Sequence, residues 1–275
     1  MLDTDSKQYA KLFDLSGRIA MVTGGAGWLG EPMSRALASA GATVIIVGRS
    51  LEPLRRLEKS AADNGLKIEA ESCDIREEAA VHALLDDVIS RYGRLDVLIN
   101  NASAVIEGGK GLDAPDSAFA EAADLHLGAS WRLVNSALPG LRAAVAATGD
   151  ASVINIGSMY GKVSPLPHLY AETGQSPNPA YYGAAKAGLL QMTRWLACRL
   201  GPEKVRVNSI SPGPFPQWNA RERAPDFVAE LDKKSPLGRI GSRNEIAGPV
   251  LFLASSASSY VTGADLAVDG GWTAW

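Results

Sequence analysis

The sequence predicts an α/β fold built on a parallel sheet. From residue 18 onward, short apolar runs alternate with longer segments of helical periodicity, which is typical of βαβ units with parallel strands. Glycine or polar residues follow five of the apolar runs: Gly24, Arg49, Asp74, Asn100 and Ser158. Ligands bind to such sheets at the carboxyl ends of the strands. We therefore expect these residues to line a crevice along one edge of the sheet.

Seven apolar runs are predicted to form strands: residues 18–23, 43–47, 67–73, 95–99, 152–158, 203–210 and 265–268. The predicted helices are residues 33–40, 51–64, 77–92, 118–147, 182–199, 219–234 and 244–255. Four prolines predict a loop between Ser158 and Tyr182. No linker or repeat divides the chain, so we expect one domain over residues 1–275. It would carry a substrate loop at 159–180 and a lid-like region at 214–240.

Composition argues against several classes of protein. The 275 residues carry 27 basic and 30 acidic side chains, a net charge of -3, and no basic run that would suit nucleic acid. No apolar run approaches the roughly 18 residues of a membrane span, and residues 1–16 do not resemble a secretory signal. Three histidines and two cysteines lack metal-ligand spacing, so no metal is expected. Cys73 and Cys198 are predicted to be buried free thiols of a cytoplasmic protein.

A glycine-rich turn joins the first predicted strand to the first helix. Gly24, Gly25, Gly27 and Gly30 stand between them, and this context gives a glycine motif its meaning. Glycines let the backbone approach a pyrophosphate, and the helix N-terminus offers free N–H groups to it. The turn therefore predicts a dinucleotide cofactor, and the alternative is a tight turn without a ligand.

The residues after the second predicted strand bear on the choice of cofactor. Many dinucleotide folds carry an acid here that binds the adenosine ribose, whereas this chain has Gly48 and Arg49. An arginine can hold a 2′-phosphate through a charge-assisted bond worth roughly 1.5–3 kcal/mol. The sequence therefore favours NADP, with NAD as the alternative if Arg49 is simply solvated.

Tyr182 and Lys186 are predicted to share one face of a helix, because residues four apart do so. A tyrosine titrates near ~10 and is a poor base at neutral pH. One cation about 4 Å away supplies roughly the 4 kcal/mol that would bring this pKa to about 7. The pair could then exchange a proton with a substrate oxygen, which the Ser158 hydroxyl could also hold. A plain surface pair is the alternative.

Taken in order, these motifs resemble the short-chain dehydrogenase/reductase family in its compact single-domain branch. The similar stretches run from residue 15 to the end and are T-G-G-A-G-W-L-G, C-D-I, N-N-A-S, I-G-S, Y-G-A-A-K, N-S-I-S-P-G-P and V-T-G-A-D-L-A-V-D-G-G. The resemblance implies a Rossmann-type, doubly wound sheet of seven parallel strands with helices on both faces. It also implies reversible hydride transfer between NAD(P) and an alcohol or carbonyl, in a homotetramer or homodimer.

The resemblance also implies roles for individual residues. Tyr182 would be the general acid/base, Lys186 would lower its pKa and bind the nicotinamide ribose, and Ser158 would steady the substrate oxygen. The implied cofactor contacts are Gly24, Gly27, Trp28, Leu29, Gly30, Arg49, Asp74, Ile75, Asn100, Ala102, Tyr182, Lys186, Pro212 and Gly213. Residues beside these motifs are the candidates for substrate contact: Met159, Tyr160, Tyr170, Phe215 and Trp218.

Three features depart from the family pattern. Trp28 stands where this branch usually has its middle glycine, so we expect a local change in the phosphate loop. His126 replaces a helix asparagine that holds a water in the proton relay, and it is either a catalytic substitute or a packed helix histidine. The stretch from Ser158 to Tyr182 is also longer than usual, and its loop residues are expected to influence substrate choice. The loop candidates are His168, Tyr170 and Glu172.

The sequence thus predicts an NADP(H)-preferring oxidoreductase that acts on a secondary alcohol or ketone, with a polyol or sugar acid as the favoured class. One alternative is a 3-oxoacyl thioester reductase. Another is a non-catalytic dinucleotide-binding sensor, which Trp28 and His126 would favour. A sugar-nucleotide epimerase is disfavoured because little chain follows Gly213. Trp272 and Trp275 are expected to lie at a subunit interface, since a free tail would expose them.

Overall fold

The structure, a computed structural model, describes residues 9–104, 106, 111–217 and 219–275. Its strands are β1 (Ile19–Thr23), β2 (Thr43–Gly48), β3 (Ile68–Ser72), β4 (Val97–Asn100), β5 (Ala151–Ile156), β6 (Val205–Pro212) and β7 (Asp265–Val268). They form one parallel sheet in the order β3-β2-β1-β4-β5-β6-β7. The order reverses between β1 and β4, which opens a crevice at their carboxyl ends. The predicted Rossmann-type fold is confirmed.

Helices lie on both faces of this sheet. They are α1 (Gly30–Ser39), α2 (Leu51–Ala62), α3 (Glu78–Tyr92), α4 (Asp116–Ala123), α5 (Ala129–Thr148), α6 (Pro167–Glu172), α7 (Ala180–Leu200), α8 (Ala220–Arg223), α9 (Pro225–Lys234) and α10 (Ala247–Ala254). Met21 of β1 belongs to the core formed with α3, α5 and α7, whereas its neighbour Val22 belongs to the core formed with α1, α2 and α10. Burial on both faces explains why the strands are nearly continuous apolar runs.

The helix predicted over residues 118–147 is divided in the structure. A π-helical turn, Asp124–Gly128, separates α4 from α5. Pro139 lies inside α5 and does not end it. The buried face of α5, which includes Leu133 and Leu141, holds the helix by tertiary packing, which contributes more to helix stability than local propensity does.

Two further segments differ from the prediction. The predicted loop between Ser158 and Tyr182 contains α6 and a short 3₁₀ turn, Met159–Gly161. The helix predicted over residues 219–234 is split into α8 and α9, because Pro225 takes the first turn of α9, where its missing N–H is tolerated.

None of the described helices combines the length and apolar character that a bilayer span requires. Cys73 and Cys198 are both free thiols. Cys73 is buried, as predicted. Cys198 is exposed, contrary to the prediction, because its position falls on the solvent side of α7.

Candidate active site

Tyr182 and Lys186 lie one turn apart on α7, as their spacing predicts. Lys186 is buried, at 4% exposure, and its Nζ donates a 2.7 Å hydrogen bond to the carbonyl of Ile156 at the end of β5. The same ammonium lies 5.8 Å from the centroid of the Tyr182 ring. Both side chains line one cleft. The structure thus places a phenol beside a buried amine at the carboxyl edge of the sheet.

Burial controls the pKa values of this pair. It lowers the pKa of Lys186 to about 8, and it raises the pKa of Tyr182, against the opposing effect of a hydrogen bond with Ser158. The direction for Tyr182 is opposite to the predicted one. Only the hydrogen bond with Ser158 opposes the desolvation of the phenol. Ser158 is therefore the neighbour that favours the phenolate here.

Ser158 follows β5 and its side chain is buried at the wall of the cleft. Its Oγ accepts a 3.1 Å hydrogen bond from the backbone N–H of Tyr160, within the 3₁₀ turn Met159–Gly161. This bond occupies a lone pair and leaves the hydroxyl proton to be donated. The serine is thereby fixed in place and still able to bond another oxygen.

His126 lies in the π-helical turn, and such turns often occur at functional sites. Its imidazole is 2% exposed and contacts the Tyr182 ring edge-to-face, with ring centroids 5.6 Å apart and planes at 85°. Burial lowers the pKa of His126 to about 3, and the nearby Lys186 charge acts in the same direction. The imidazole is therefore neutral at physiological pH, and it supports Tyr182 without lining the cleft.

The main cleft has a volume of about 550 Å³ and runs along the carboxyl ends of β1, β5 and β6. Most of the predicted cofactor and substrate residues line it: Gly24, Gly27, Trp28, Leu29, Gly30, Ser158, Met159, Tyr160, Tyr170, Tyr182, Lys186, Pro212, Gly213 and Phe215. Trp218 lies outside the described residues. The predicted phosphate, catalytic and substrate positions therefore share one continuous surface.

The glycine-rich turn forms a tight cradle at one end of this cleft. Gly24 has a φ of +64°, and a Cβ on Gly30 would stand 2.0 Å from the Gly24 carbonyl oxygen, so neither position accepts a side chain. The helix α1 begins here without a side-chain cap, which leaves backbone N–H groups for an anion. The turn therefore fits a pyrophosphate.

A second cavity, of about 180 Å³, adjoins the cleft, since Gly24 and Ser103 line both. Four more of the predicted cofactor residues line this cavity: Arg49, Asp74, Ile75 and Ala102. The placement of these residues beyond the glycine cradle matches the adenosine end of a dinucleotide.

Arg76 also lines the second cavity, and it was not among the predicted cofactor contacts. Its Nη2 lies 2.9 Å from Asp74 Oδ2, and the hydrogen bond between them lowers the pKa of the aspartate and raises the pKa of the arginine. Together with the exposed Arg49, it places two guanidinium groups at one cavity. The sequence signal for Arg76 was its position two residues after Asp74, which follows a predicted strand. This signal was missed because Arg76 also reads as one of the charged residues that begin the next helix.

Asn100 does not line either cavity. Its Nδ2 donates a 2.8 Å hydrogen bond to Asn155 Oδ1, and Asn155 Nδ2 donates in turn to Thr193 Oγ1 at 2.9 Å. This chain of bonds ties β4, β5 and α7 together beneath the site. The residue of this strand end that lines the cleft is Asn101, whose Nδ2 donates to the Thr23 carbonyl at 2.9 Å. Asn100 therefore has a structural role beneath the site, and its contact with the cofactor stays a prediction.

The substrate end of the cleft contains residues that were not predicted. They are Gln175, Ser176 and Asn178 from the loop before α7, and Phe227 and Leu231 from α9. Of the three loop candidates, only Tyr170 lines the cleft, and its hydroxyl is hydrogen-bonded to that of Tyr160. His168 and Glu172 are exposed and lie outside the cleft lining, so the loop presents amides and phenols there.

The C-terminal tryptophans are separated in the structure. Trp272 is 3% exposed and packs in its own chain with Tyr160, Tyr170 and Leu231. Trp275 is 69% exposed, with the Lys234 ammonium 4.9 Å from its ring centroid. The expected burial of both rings between subunits is thus wrong for Trp272, which supports the substrate wall of its own cleft.

A phenol beside a buried amine, in one cleft with a glycine-rich turn, suits an oxidoreductase that uses a nicotinamide cofactor. Comparison with known proteins agrees. A family model described as Enoyl-(Acyl carrier protein) reductase matches residues 26–273. The chain belongs to the short-chain dehydrogenase/reductase family and is an oxidoreductase of that family.

Its relatives differ in the substrates that their names record. The rhamnolipids biosynthesis 3-oxoacyl-(acyl-carrier-protein) reductase of Pseudomonas aeruginosa is 35% identical over 269 residues, with 94% of this chain and 98% of the relative covered. The cis-4-hydroxycyclohexanecarboxylate dehydrogenase of Sinomonas cyclohexanicum is 34% identical over 267 residues, with coverages of 94% and 97%. The 2-dehydro-3-deoxy-D-gluconate 5-dehydrogenase of Escherichia coli is 31% identical over 264 residues, with coverages of 95% and 98%.

Solved structures of similar proteins contain NADP. The RhlG/NADP active-site complex of Pseudomonas aeruginosa superposes with a TM-score of 0.84 at 32% identity, covering 95% of this chain and 98% of that one. A gluconate 5-dehydrogenase of Burkholderia cenocepacia, in complex with NADP and tartrate, gives a TM-score of 0.83 at 29% identity, with coverages of 97% and 99%.

Proposed function

We propose that this chain interconverts a ketone and a secondary alcohol with NADP(H), and that Tyr182 exchanges the proton. One observation carries the proposal. Ser158, Tyr182 and Lys186 meet in the cleft whose other end is the glycine cradle. A substrate held beside the nicotinamide end of a dinucleotide would therefore face two hydroxyl groups. One domain, with its sheet built from strands between Ile19 and Val268, would contain both sites.

The residues present fit NADP. The cradle would hold the pyrophosphate through backbone N–H groups, and Arg49 and Arg76 would share the 2′-phosphate while Asp74 and Ile75 lie beside the adenine. Pro212 and Gly213 would flank the nicotinamide ring, which supplies or accepts the hydride when the cofactor is bound. Two guanidinium groups at one cavity favour NADP over NAD, because the additional phosphate gains charge-assisted hydrogen bonds.

Ser158 and Tyr182 would act on the same substrate oxygen. During reduction, Tyr182 donates its proton to the oxygen of the former carbonyl while Ser158 holds that oxygen by a hydrogen bond. During oxidation, the phenolate takes the proton back. The Lys186 ammonium is the nearby cation that offsets the charge of the phenolate, so we propose that it turns from the Ile156 carbonyl toward Tyr182 and the cofactor ribose in the working complex.

Of the two roles open to His126, its position favours the packed one. The imidazole is neutral, buried and placed edge-to-face on Tyr182 outside the cleft lining. We propose that it positions the phenol ring for proton transfer and does not itself contact the substrate.

Polar groups line the substrate end of the cleft in two places. Neutral hydrogen-bonding groups of Gln175, Ser176 and Asn178 lie at the mouth, and the Tyr160–Tyr170 hydroxyl pair lies deeper. Such groups suit a substrate that carries several hydroxyl groups, so a polyol or sugar acid is our first choice of class. The relatives that act on gluconate derivatives support this choice.

A 3-oxoacyl thioester is the second candidate, and a specific observation favours it. Met159, Phe215, Phe227 and Leu231 supply apolar surface to the same cleft, where an acyl chain could lie. The 35% identical relative from Pseudomonas aeruginosa is named as a reductase of this class.

A panel assay separates these possibilities. Purified protein is mixed with NADPH or NADH and with keto derivatives of polyols, keto sugar acids and 3-oxoacyl thioesters, and loss of nicotinamide absorbance is followed. We expect turnover with NADPH and a preference for the oxygen-rich ketones. Binding of NADPH without turnover of any ketone would instead support the dinucleotide-binding sensor.

We also propose a cytoplasmic homodimer or homotetramer. Trp131 of α5 and Trp195 of α7 are 41% and 53% exposed, and their rings lie 5.8 Å apart. Exposed paired tryptophans are costly for a monomer, and a second copy of the chain would bury them. Two free thiols are consistent with a reducing compartment.

A further inference from the structure

Trp28 joins the glycine cradle to the chain that follows β6. Its ring is half-buried and lines both the main cleft and a neighbouring cavity of about 290 Å³. Its indole Nε1 donates a 3.0 Å hydrogen bond to the carbonyl of Phe215, which is 187 positions away in the chain. A glycine at position 28 would have no side chain to make this contact.

The face of the Trp28 ring is also held. The guanidinium carbon of Arg243 lies 4.9 Å from the ring centroid, within the range of a cation–π interaction. The same Arg243 pairs with Glu31 in the first turn of α1 at 3.1 Å. The indole is thus held at one edge by the Phe215 carbonyl and on one face by Arg243, which Glu31 of α1 binds in turn.

The Phe215 turn, residues 214–216, is linked to α9 through residues 240 and 241. The carbonyl of Pro214 accepts a 2.9 Å hydrogen bond from the N–H of Gly241, and a Cβ on Gly241 would stand 2.5 Å from the Phe215 ring. The neighbouring Ile240 N–H donates to Asp232 of α9 at 2.7 Å. A continuous path of contacts therefore runs from Trp28 through the Phe215 turn to the helix that carries Phe227 and Leu231.

We propose that Trp28 is a positioning residue that couples cofactor binding to the substrate wall. A dinucleotide bound at the cradle would fix the backbone around Trp28. Through the indole hydrogen bond, the Phe215 turn and α9 would then become less mobile as well. The inference rests on the proposed function, because it assumes that the cradle binds NADP(H) and that the cleft binds the carbonyl substrate.

Hydrogen exchange of the whole protein tests the coupling without any turnover. The Trp28→Phe variant keeps an aromatic ring for Arg243 and loses the N–H donor. In the wild type, NADPH should slow exchange in α9 and at residues 240–243. In the variant, NADPH should still bind, with a Kd changed by less than about threefold, and this protection should be largely lost. Tyr260→Phe, which removes a hydroxyl from a fully exposed ring, is the matched control and should behave as the wild type.

Kinetics provide the second readout. Loss of one neutral hydrogen bond should raise the KM for the ketone about fivefold in Trp28→Phe, with kcat changed less. The coupling is overturned if NADPH protects α9 equally in wild type and variant, or if it protects neither. A uniform rise in exchange with a lower Tm would also overturn it, since Trp28 would then only stabilise the fold. If the variant loses the protection but the wild type turns over none of the ketones, the coupling stands and the proposed function is refuted.

Discussion

The imidazole of His126 stands edge-to-face against the phenol ring of Tyr182, with centroids 5.6 Å apart and planes at 85°. The contact joins the π-helical turn to α7. It is made by a histidine that burial keeps uncharged, so the phenol has an uncharged neighbour on one side and the cleft on the other. The His126 ring contributes to the burial of the phenol, and burial is the cause that raises the pKa of Tyr182.

Acid should destabilise the protein through His126. Its pKa is about 3 when folded, against 6.5 for an ordinary histidine, so between these values the unfolded chain binds a proton that the folded chain does not. The free energy of unfolding should therefore fall as pH drops from about 6.5 toward 3, with a slope from this site of up to about 1.36 kcal/mol per pH unit. Denaturant melts of wild type and His126→Asn across this window should show the slope reduced in the variant, and equal slopes would contradict the buried neutral state.

Cofactor preference should depend on the two arginines at the adenosine cavity. Arg49→Asp should shift preference toward NAD, and Arg76→Ala should weaken NADP alone, each by about 10- to 150-fold in the ratio of kcat/KM values, as charge-assisted hydrogen bonds are lost. Arg55→Asp, on the exposed side of α2, should leave the ratio unchanged. If Arg49→Asp and Arg76→Ala also keep the wild-type ratio, neither guanidinium contacts the 2′-phosphate.

Substrate recognition should depend on the loop amides. Asn178→Ala and Gln175→Ala should each raise the KM for an oxygen-rich ketone about two- to tenfold, the effect of one neutral hydrogen bond, and should leave the KM for an acyl thioester nearly unchanged. Glu172→Ala, at the end of α6 and outside the cleft lining, serves as the control. The opposite pattern, with only the thioester affected, would favour the second candidate class.

Assembly should depend on the exposed tryptophan pair. The double variant Trp131→Lys, Trp195→Lys should have a lower mass by light scattering than the wild type, because two charges would oppose burial of that surface. Tyr260→Lys, at a fully exposed aromatic position away from the pair, should keep the wild-type mass. A double variant of unchanged mass would place any subunit contact elsewhere.

The parts of the site that local geometry determines could be predicted from the sequence. Tyr182 and Lys186 share a face because a helix brings residues four apart together, and the glycine turn could be placed between a strand and a helix. The predicted direction of the Tyr182 pKa shift was wrong, because the burial that raises this pKa depends on how α7 packs in the folded chain.

Residues that reach the site through tertiary packing were missed. Gln175 and Asn178 lie on either side of Pro177 in a loop without periodicity, and Phe227 belongs to a helix distant in sequence. Trp272 was expected between subunits, since the sequence does not show the apolar cluster inside its own chain that buries it.

The central claim, that the Tyr182 phenol exchanges the proton, is tested most directly by Tyr182→Phe assayed with NADPH and the best ketone of the panel. The variant should bind NADPH with a near wild-type Kd, because the ring and its contact with His126 remain, while kcat should fall by about 10²- to 10⁴-fold as general acid catalysis is lost. A wild-type kcat in this variant would contradict the account.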